Sequence, residues 1–103
     1  MVISVSDPAF DREVLSAKEP VLVDFWAAWC APCRAMGSVF ESVSNEIAGV
    51  KFCKVNVDDC PSVAGRYGIQ SIPTLMLFRG GKSVTHAVGV LSKQQIQKLV
   101  ESY

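Results

Sequence analysis

Between residues 21 and 57 the chain spells out a strand, a long helix and a second strand, and no other stretch constrains the fold as much. Val21-Leu22-Val23-Asp24-Phe25-Trp26 is apolar at every position but one, as a strand covered on both faces must be. Met36, Val39, Phe40, Val43 and Ile47 then recur at helical spacing, and Gly49 supplies a stop. Residues 50–57 return to a strand pattern. A strand, a crossover helix and a strand in one sheet run parallel.

The flanks extend this unit. Residues 2–5 alternate weakly and predict a short edge strand. Asp7 followed by Pro8 predicts the capped start of a helix whose inner stripe holds Phe10 and Val14. Asp58-Asp59-Cys60-Pro61 opens a short helix that ends near Tyr67-Gly68. Residues 74–78 and 84–88 predict a hairpin across Gly80-Gly81. Ser92 with Gln95 three residues later forms a capping box, and Ile96, Leu99, Val100 and Tyr103 make the apolar face of the last helix. The predicted fold class is α/β, a mixed sheet of about five strands flanked by about four helices on both faces. A single domain is expected over residues 1–103.

Composition narrows the function. Lys plus Arg number 10 and Asp plus Glu number 10, so no basic excess points to nucleic acid. Half of the residues are hydrophobic, enough for a core without staples. The N-terminal residues lack the basic-then-apolar pattern of a signal peptide. The apolar stretch at 21–29 is too short to span a bilayer and carries Asp24. The expectation is a cytoplasmic monomer with no membrane partner. The four cysteines do not form a disulfide scaffold in such a setting.

Cys30-Ala31-Pro32-Cys33 falls where the buried strand hands over to the long helix. A helix start offers unpaired N–H groups and the positive end of the helix dipole, and both favour a thiolate over a thiol. The pKa of Cys30 is therefore expected below the free value of about 8.5. Cys33, one turn on, lies on the same face within disulfide range, and Pro32 suits the first turn. A structural zinc site needs four ligands, usually as two such pairs. Here Cys53 and Cys60 stand apart and His86 is alone, most simply a surface residue, so no metal is expected.

Trp29-Cys30-Ala31-Pro32-Cys33 resembles the active-site motif of the thioredoxin family. Val23-Asp24-Phe25-Trp26, Lys54-Val55-Asn56-Val57-Asp58, Tyr67-Gly68-Ile69, Ile72-Pro73-Thr74-Leu75 and Val88-Gly89 resemble the same family in order and spacing. The resemblance covers essentially the whole chain and implies a thioredoxin fold and a protein-disulfide reductase. Two departures stand out: Ala31 replaces the usual glycine, and Gly37-Ser38 stands where many members have a helix-kinking proline.

Carried onto this sequence, the resemblance makes Cys30 the nucleophile that attacks a substrate disulfide and Cys33 the thiol that resolves the mixed disulfide. It places Asp24 under the site as a proton-transfer group. Burial of a carboxylate in an apolar strand would raise its pKa. Lys54 resembles the family lysine near that carboxylate; a solvated strand lysine is the plainer reading. The resemblance also implies a cis peptide before Pro73 and an Ile72 backbone that pairs with extended substrate. Trp29, Ala31, Pro32, Ile72, Pro73, Thr74, Val88, Gly89 and Val90 are the candidate substrate-binding residues, most of them forming a flat apolar patch around Cys30. The implied partners are a thioredoxin reductase and disulfide-containing client proteins. The chain has no nucleotide-binding glycine motif, so no bound NADPH or flavin is expected.

Two other classes compete. A thiol oxidase or isomerase of an oxidising compartment commonly has histidine where Pro32 stands. A non-catalytic module on this fold would be expected to have lost a cysteine, and neither is lost. Cys53 alternates with Phe52 and Lys54 and is expected to be an inert core residue beside Val55. Cys60, at a loop and helix start, is expected to be an accessible thiol with dipole and aspartate effects nearly cancelling. The strand between them is expected to keep Cys53 and Cys60 roughly 20 Å apart, too far to bridge.

Overall fold

The computed structural model describes residues 1–102. Tyr103, expected on the inner face of the last helix, lies outside the described residues. Among those residues the strands are β1 (Val2–Ser4), β2 (Val21–Trp26), β3 (Lys51–Asn56), β4 (Thr74–Arg79) and β5 (Lys82–Val88), and they form one sheet of order β1-β3-β2-β4-β5. β2 pairs with β3 in parallel, in the register Asp24 with Lys54 and Trp26 with Asn56. On its other side β2 pairs antiparallel with β4. The most apolar segment is thus the middle strand, as a two-sided apolar run requires.

The alternation along β2 sorts the core into two layers. Val21, Val23 and Phe25 join Cys53, Val55, Met76 and Phe78 against Phe10, Val14 and Val63. Leu22 joins Phe52, Leu75 and Leu77 against Met36, Phe40 and Val43 of helix α1 (Ala31–Ser44) and Ile96 and Val100 of α3 (Lys93–Glu101). The predicted crossover unit and capping box are both present. Gln95 N–H donates to Ser92 Oγ at 3.2 Å, and Ser92 N–H donates to Gln95 Oε1 at 2.9 Å. The hairpin turns on Gly80 (φ 58°) and Gly81 (φ 80°), as a two-residue turn with positive φ demands.

Three expectations are corrected. The long helix stops at Ser44, before Ile47 and Gly49, and Ile47 packs on the core from the loop. The first helix is a π-helical segment, Asp11–Leu15, and Asp7 does not cap it. Instead Asp7 Oδ2 accepts from Ser62 N–H at 3.1 Å and Oδ1 from Val63 N–H at 3.0 Å, capping α2 (Pro61–Arg66) across the fold. The free N–H groups of a distant helix start outcompete the local ones because β1 delivers Asp7 to them.

Cys60 is the third correction. It is 2% exposed, and its thiol donates to the Val5 carbonyl at 3.4 Å. The start of α2 is docked against the end of β1, so this thiol faces the core. Burial raises its pKa, and Asp7 raises it further. Cys53 is buried as expected, with its thiol pushed up to about 11 by burial.

Candidate redox site

β2 ends at Trp26, and a tight turn in which Cys30 N–H donates to the Ala27 carbonyl at 3.2 Å leads into α1. Cys30 is the N-cap of α1, in extended backbone, with proline in the first helical turn. Its Sγ accepts from Cys33 N–H at 3.2 Å, so sulfur fills the place of the usual capping oxygen. The two cysteines are bonded to each other, with Cα atoms 5.2 Å apart. Cys30 is 5% and Cys33 1% exposed, so the first sulfur is the outer one. Ala27 and both cysteines pack against Trp26, Val57 and Ile72.

Trp29, Ala31 and Pro32, which flank Cys30 in the chain, are exposed, as are Val88 and Val90 at the end of β5, and Ile72 is half-buried. The Ile72–Pro73 peptide is cis. Gly89, at φ 99°, donates its N–H to the Pro73 carbonyl at 2.8 Å. Its positive φ brings the end of β5 onto this loop, which a residue with a Cβ would strain. Two of the candidate substrate-binding residues are different in kind. Pro73 is buried, and Thr74 is 3% exposed with its hydroxyl donating to the Ser71 carbonyl at 2.6 Å. Thr74 therefore braces the loop from inside and offers no side chain to a partner. A hydroxyl that opens a central strand has no water to bond, so it turns back to the nearest carbonyl.

Two contacts escaped sequence reasoning. Trp29 Nε1 donates to Asp58 Oδ2 at 2.9 Å, and Arg34 Nη1 donates to the Ala28 carbonyl at 2.7 Å. The first was within reach: parallel β2 and β3 place the loops after Trp26 and Asn56 side by side.

Asp24 lies behind the disulfide. It is 3% exposed, and its Oδ1 has no hydrogen-bond partner among the described residues. Burial pushes its carboxyl up to about 7, against the pull of Lys54 on the same rung of the sheet. Lys54 forms no ion pair with it; the ammonium sits 5.3 Å from the centre of the Trp26 ring. Asp24, Cys33 and Lys54 border one cavity, and Trp26 borders it with them. His86 is exposed on β5.

This arrangement can make and break a disulfide. An outer sulfur at a helix N-terminus, an inner sulfur bonded to it and a carboxyl that titrates near neutrality are the parts a thiol exchange with proton transfer requires. Among the described residues no helix is long and apolar enough to cross a membrane.

A family model described as Thioredoxin matches residues 1–102. The thioredoxin of Synechocystis sp. is 47% identical over 96% of the chain and 94% of its own length. Thioredoxin 1 of Nostoc sp. is 46% identical over the same shares. The chloroplastic M-type thioredoxin of Triticum aestivum is 39% identical over 99% of the chain and 59% of its own length.

Proposed function

The chain belongs to the thioredoxin family and is a dithiol–disulfide oxidoreductase, and from that premise we propose how its residues divide the work. The Cys30 thiolate attacks one sulfur of a client disulfide, forms a mixed disulfide and releases the first client thiolate. Cys33 then loses its proton, attacks Cys30 Sγ and releases the second client thiolate. Two electrons move to the client, and the Cys30–Cys33 disulfide remains. Asp24 accepts the Cys33 proton across the cavity they share. Lys54, on the same rung of the sheet, favours the ionised form of Asp24.

The observation that carries the division of roles is the N-cap position of Cys30. There the Cys33 N–H and the helix dipole face the sulfur that will carry charge. Trp29, Ala31, Pro32, Ile72, Val88, Gly89 and Val90 receive the client, with the Ile72 backbone pairing to an extended segment. Pro73 and Thr74 hold that loop from inside. A thioredoxin reductase recharges the protein, and the two sulfurs carry the electrons without a bound cofactor. Free thiols at Cys53 and Cys60 suit a reducing compartment, here assigned as the cytoplasm, and the protein acts as a monomer.

The test is insulin reduction with dithiothreitol as electron source. Cys30→Ser abolishes turnover, whereas Cys33→Ser still attacks and accumulates a mixed disulfide visible by mass spectrometry. Mixed disulfides formed by Cys30→Ser and not by Cys33→Ser would reverse the assignment.

A further inference from the structure

Between the β2–β3 pair and α1, behind the disulfide, lies a cavity of about 520 Å³, a size typical of small-molecule sites. The groups around it do not satisfy one another. Asp24 is 3% exposed, with Oδ1 lacking any donor among the described residues. A buried carboxyl left without donors is costly, and the edge of Asp24 that borders the cavity is where a ligand donor can meet it. Glu41, also at the cavity, is already engaged: its Oε2 accepts from Ser44 Oγ at 3.0 Å and lies 3.9 Å from the Met1 ammonium. Arg34 and Lys54 are not in ion pairs among the described residues, although Arg34 is anchored to the Ala28 carbonyl through Nη1. The unspent chemistry is thus one inner carboxyl and two cations nearer solvent, with Phe40 as an apolar wall. Gly37 lines the cavity, and a Cβ at that position would point into open space.

We propose that this cavity binds small amino-acid-like zwitterions, the ammonium donating to the Asp24 carboxylate and the ligand carboxylate facing Arg34 and Lys54. A lone cation would be repelled by the two rim cations, and a lone anion would leave Asp24 without its donor. The charged groups that line the cavity with Asp24 are Lys54 from β3 and Arg34 and Glu41 from α1, and Lys54 is the one that acts on its carboxyl. The ammonium selects the carboxylate over the neutral acid. With Asp24 titrating near 7, its ionised fraction rises about tenfold between pH ~6 and ~8, and affinity rises with it. Occupancy and ionisation of Asp24 are therefore linked in both directions.

The experiment titrates the oxidised, nitrogen-15-labelled protein with 6-aminohexanoate, pentylamine or hexanoate and follows backbone amides by NMR. The zwitterion is expected to give saturable shifts at Asp24, Gly37 and Lys54 in the millimolar range, several-fold tighter than either singly charged probe. Affinity increases about tenfold from pH ~6 to ~8. Asp24→Asn removes the pH dependence and most of the affinity, and Gly37→Leu blocks the cavity. Equal binding of hexanoate, undiminished binding to Asp24→Asn, or no saturation by about 50 mM would each overturn the proposal. A Gly37→Leu protein that failed to fold would show it in its own spectrum, and the Asp24→Asn arm would then decide. No turnover is involved, so a negative result leaves the roles of Cys30 and Cys33 standing.

Discussion

Two helices in this molecule start on a cysteine, and the two starts divide their groups in opposite ways. Cys30 caps α1 and Cys60 caps α2, each helix has proline in its first turn, and each cysteine is almost fully buried. Each also has an aspartate close at hand. At α1 the sulfur takes the helix N–H, and Asp24 is left in the sheet with an unpartnered oxygen. At α2 the carboxylate of Asp7 takes two helix N–H groups, and the thiol is left to donate to the Val5 carbonyl. The positive end of a helix can stabilise one anion well, and whichever group reaches it first determines the other's chemistry. A helix start thus makes a cysteine reactive only where no carboxylate competes for it.

The most direct way to break this comparison is alkylation of the reduced protein near neutral pH. Cys30 should react with iodoacetamide at least ~100-fold faster than Cys60, which burial and Asp7 hold in the thiol form. Mass spectrometry of tryptic peptides reads both rates, and similar rates would show that the competing carboxylate does not matter.

The orphaned carboxyl supplies the next effect. Asp24 titrates near 3.8 when solvated and near 7 in the fold, so the folded protein holds this proton longer. Parent stability therefore falls as pH rises from ~4 to ~7 and levels off above, a loss on the order of 4 kcal/mol. Asp24→Asn should abolish that fall, leaving the oxidised variant the more stable protein at pH ~8 and little changed at pH ~4. Urea denaturation at the two pH values measures the difference, and parallel curves would mean that Asp24 is solvated.

Asp7→Ala tests the opposite start. Two α2 N–H groups lose their acceptor, a cost of about 1–2 kcal/mol of the kind seen for lost N-caps. Cys60 should become more readily alkylated as the charge that opposes its ionisation goes. Unchanged thermal stability would remove Asp7 from its role. The smallest effect belongs to Asp58→Ala, which frees the Trp29 indole. At about 1 kcal/mol for the bond, a several-fold drop in kcat/KM for insulin is expected, with little change in stability.

These contrasts also mark what could be read from the chain in advance. The alternation in Val21–Trp26 and the helical stripe from Met36 to Val43 were legible because burial is written into residue type. Asp24 was legible as a buried carboxylate for the same reason. The capping box at Ser92 was legible because its partners are three residues apart. Asp7 was misread because its targets, Ser62 and Val63, are brought to it only by β1 pairing with β3. The same docking buries Cys60, whose local sequence resembles a surface loop. Pro73 and Thr74 were read as substrate-binding because motif membership does not say which way a side chain faces. Long-range contacts decide such cases, and residue spacing carries no record of them.

The order of strands in the sheet has a consequence for the protein while it is being made. Cys30 and Cys33 sit at the start of α1, yet the loop carrying Ile72 and Pro73 and the β5 residue Val88 come from chain synthesised later. About 55 residues separate Cys33 from Val88. At a synthesis rate of about 5–20 residues per second, that interval lasts roughly 3–10 s. For those seconds the two thiols are present without the loop and strand end that later pack beside them. Every newly made copy therefore passes through a brief stage in which its two redox sulfurs precede the rest of their own surroundings.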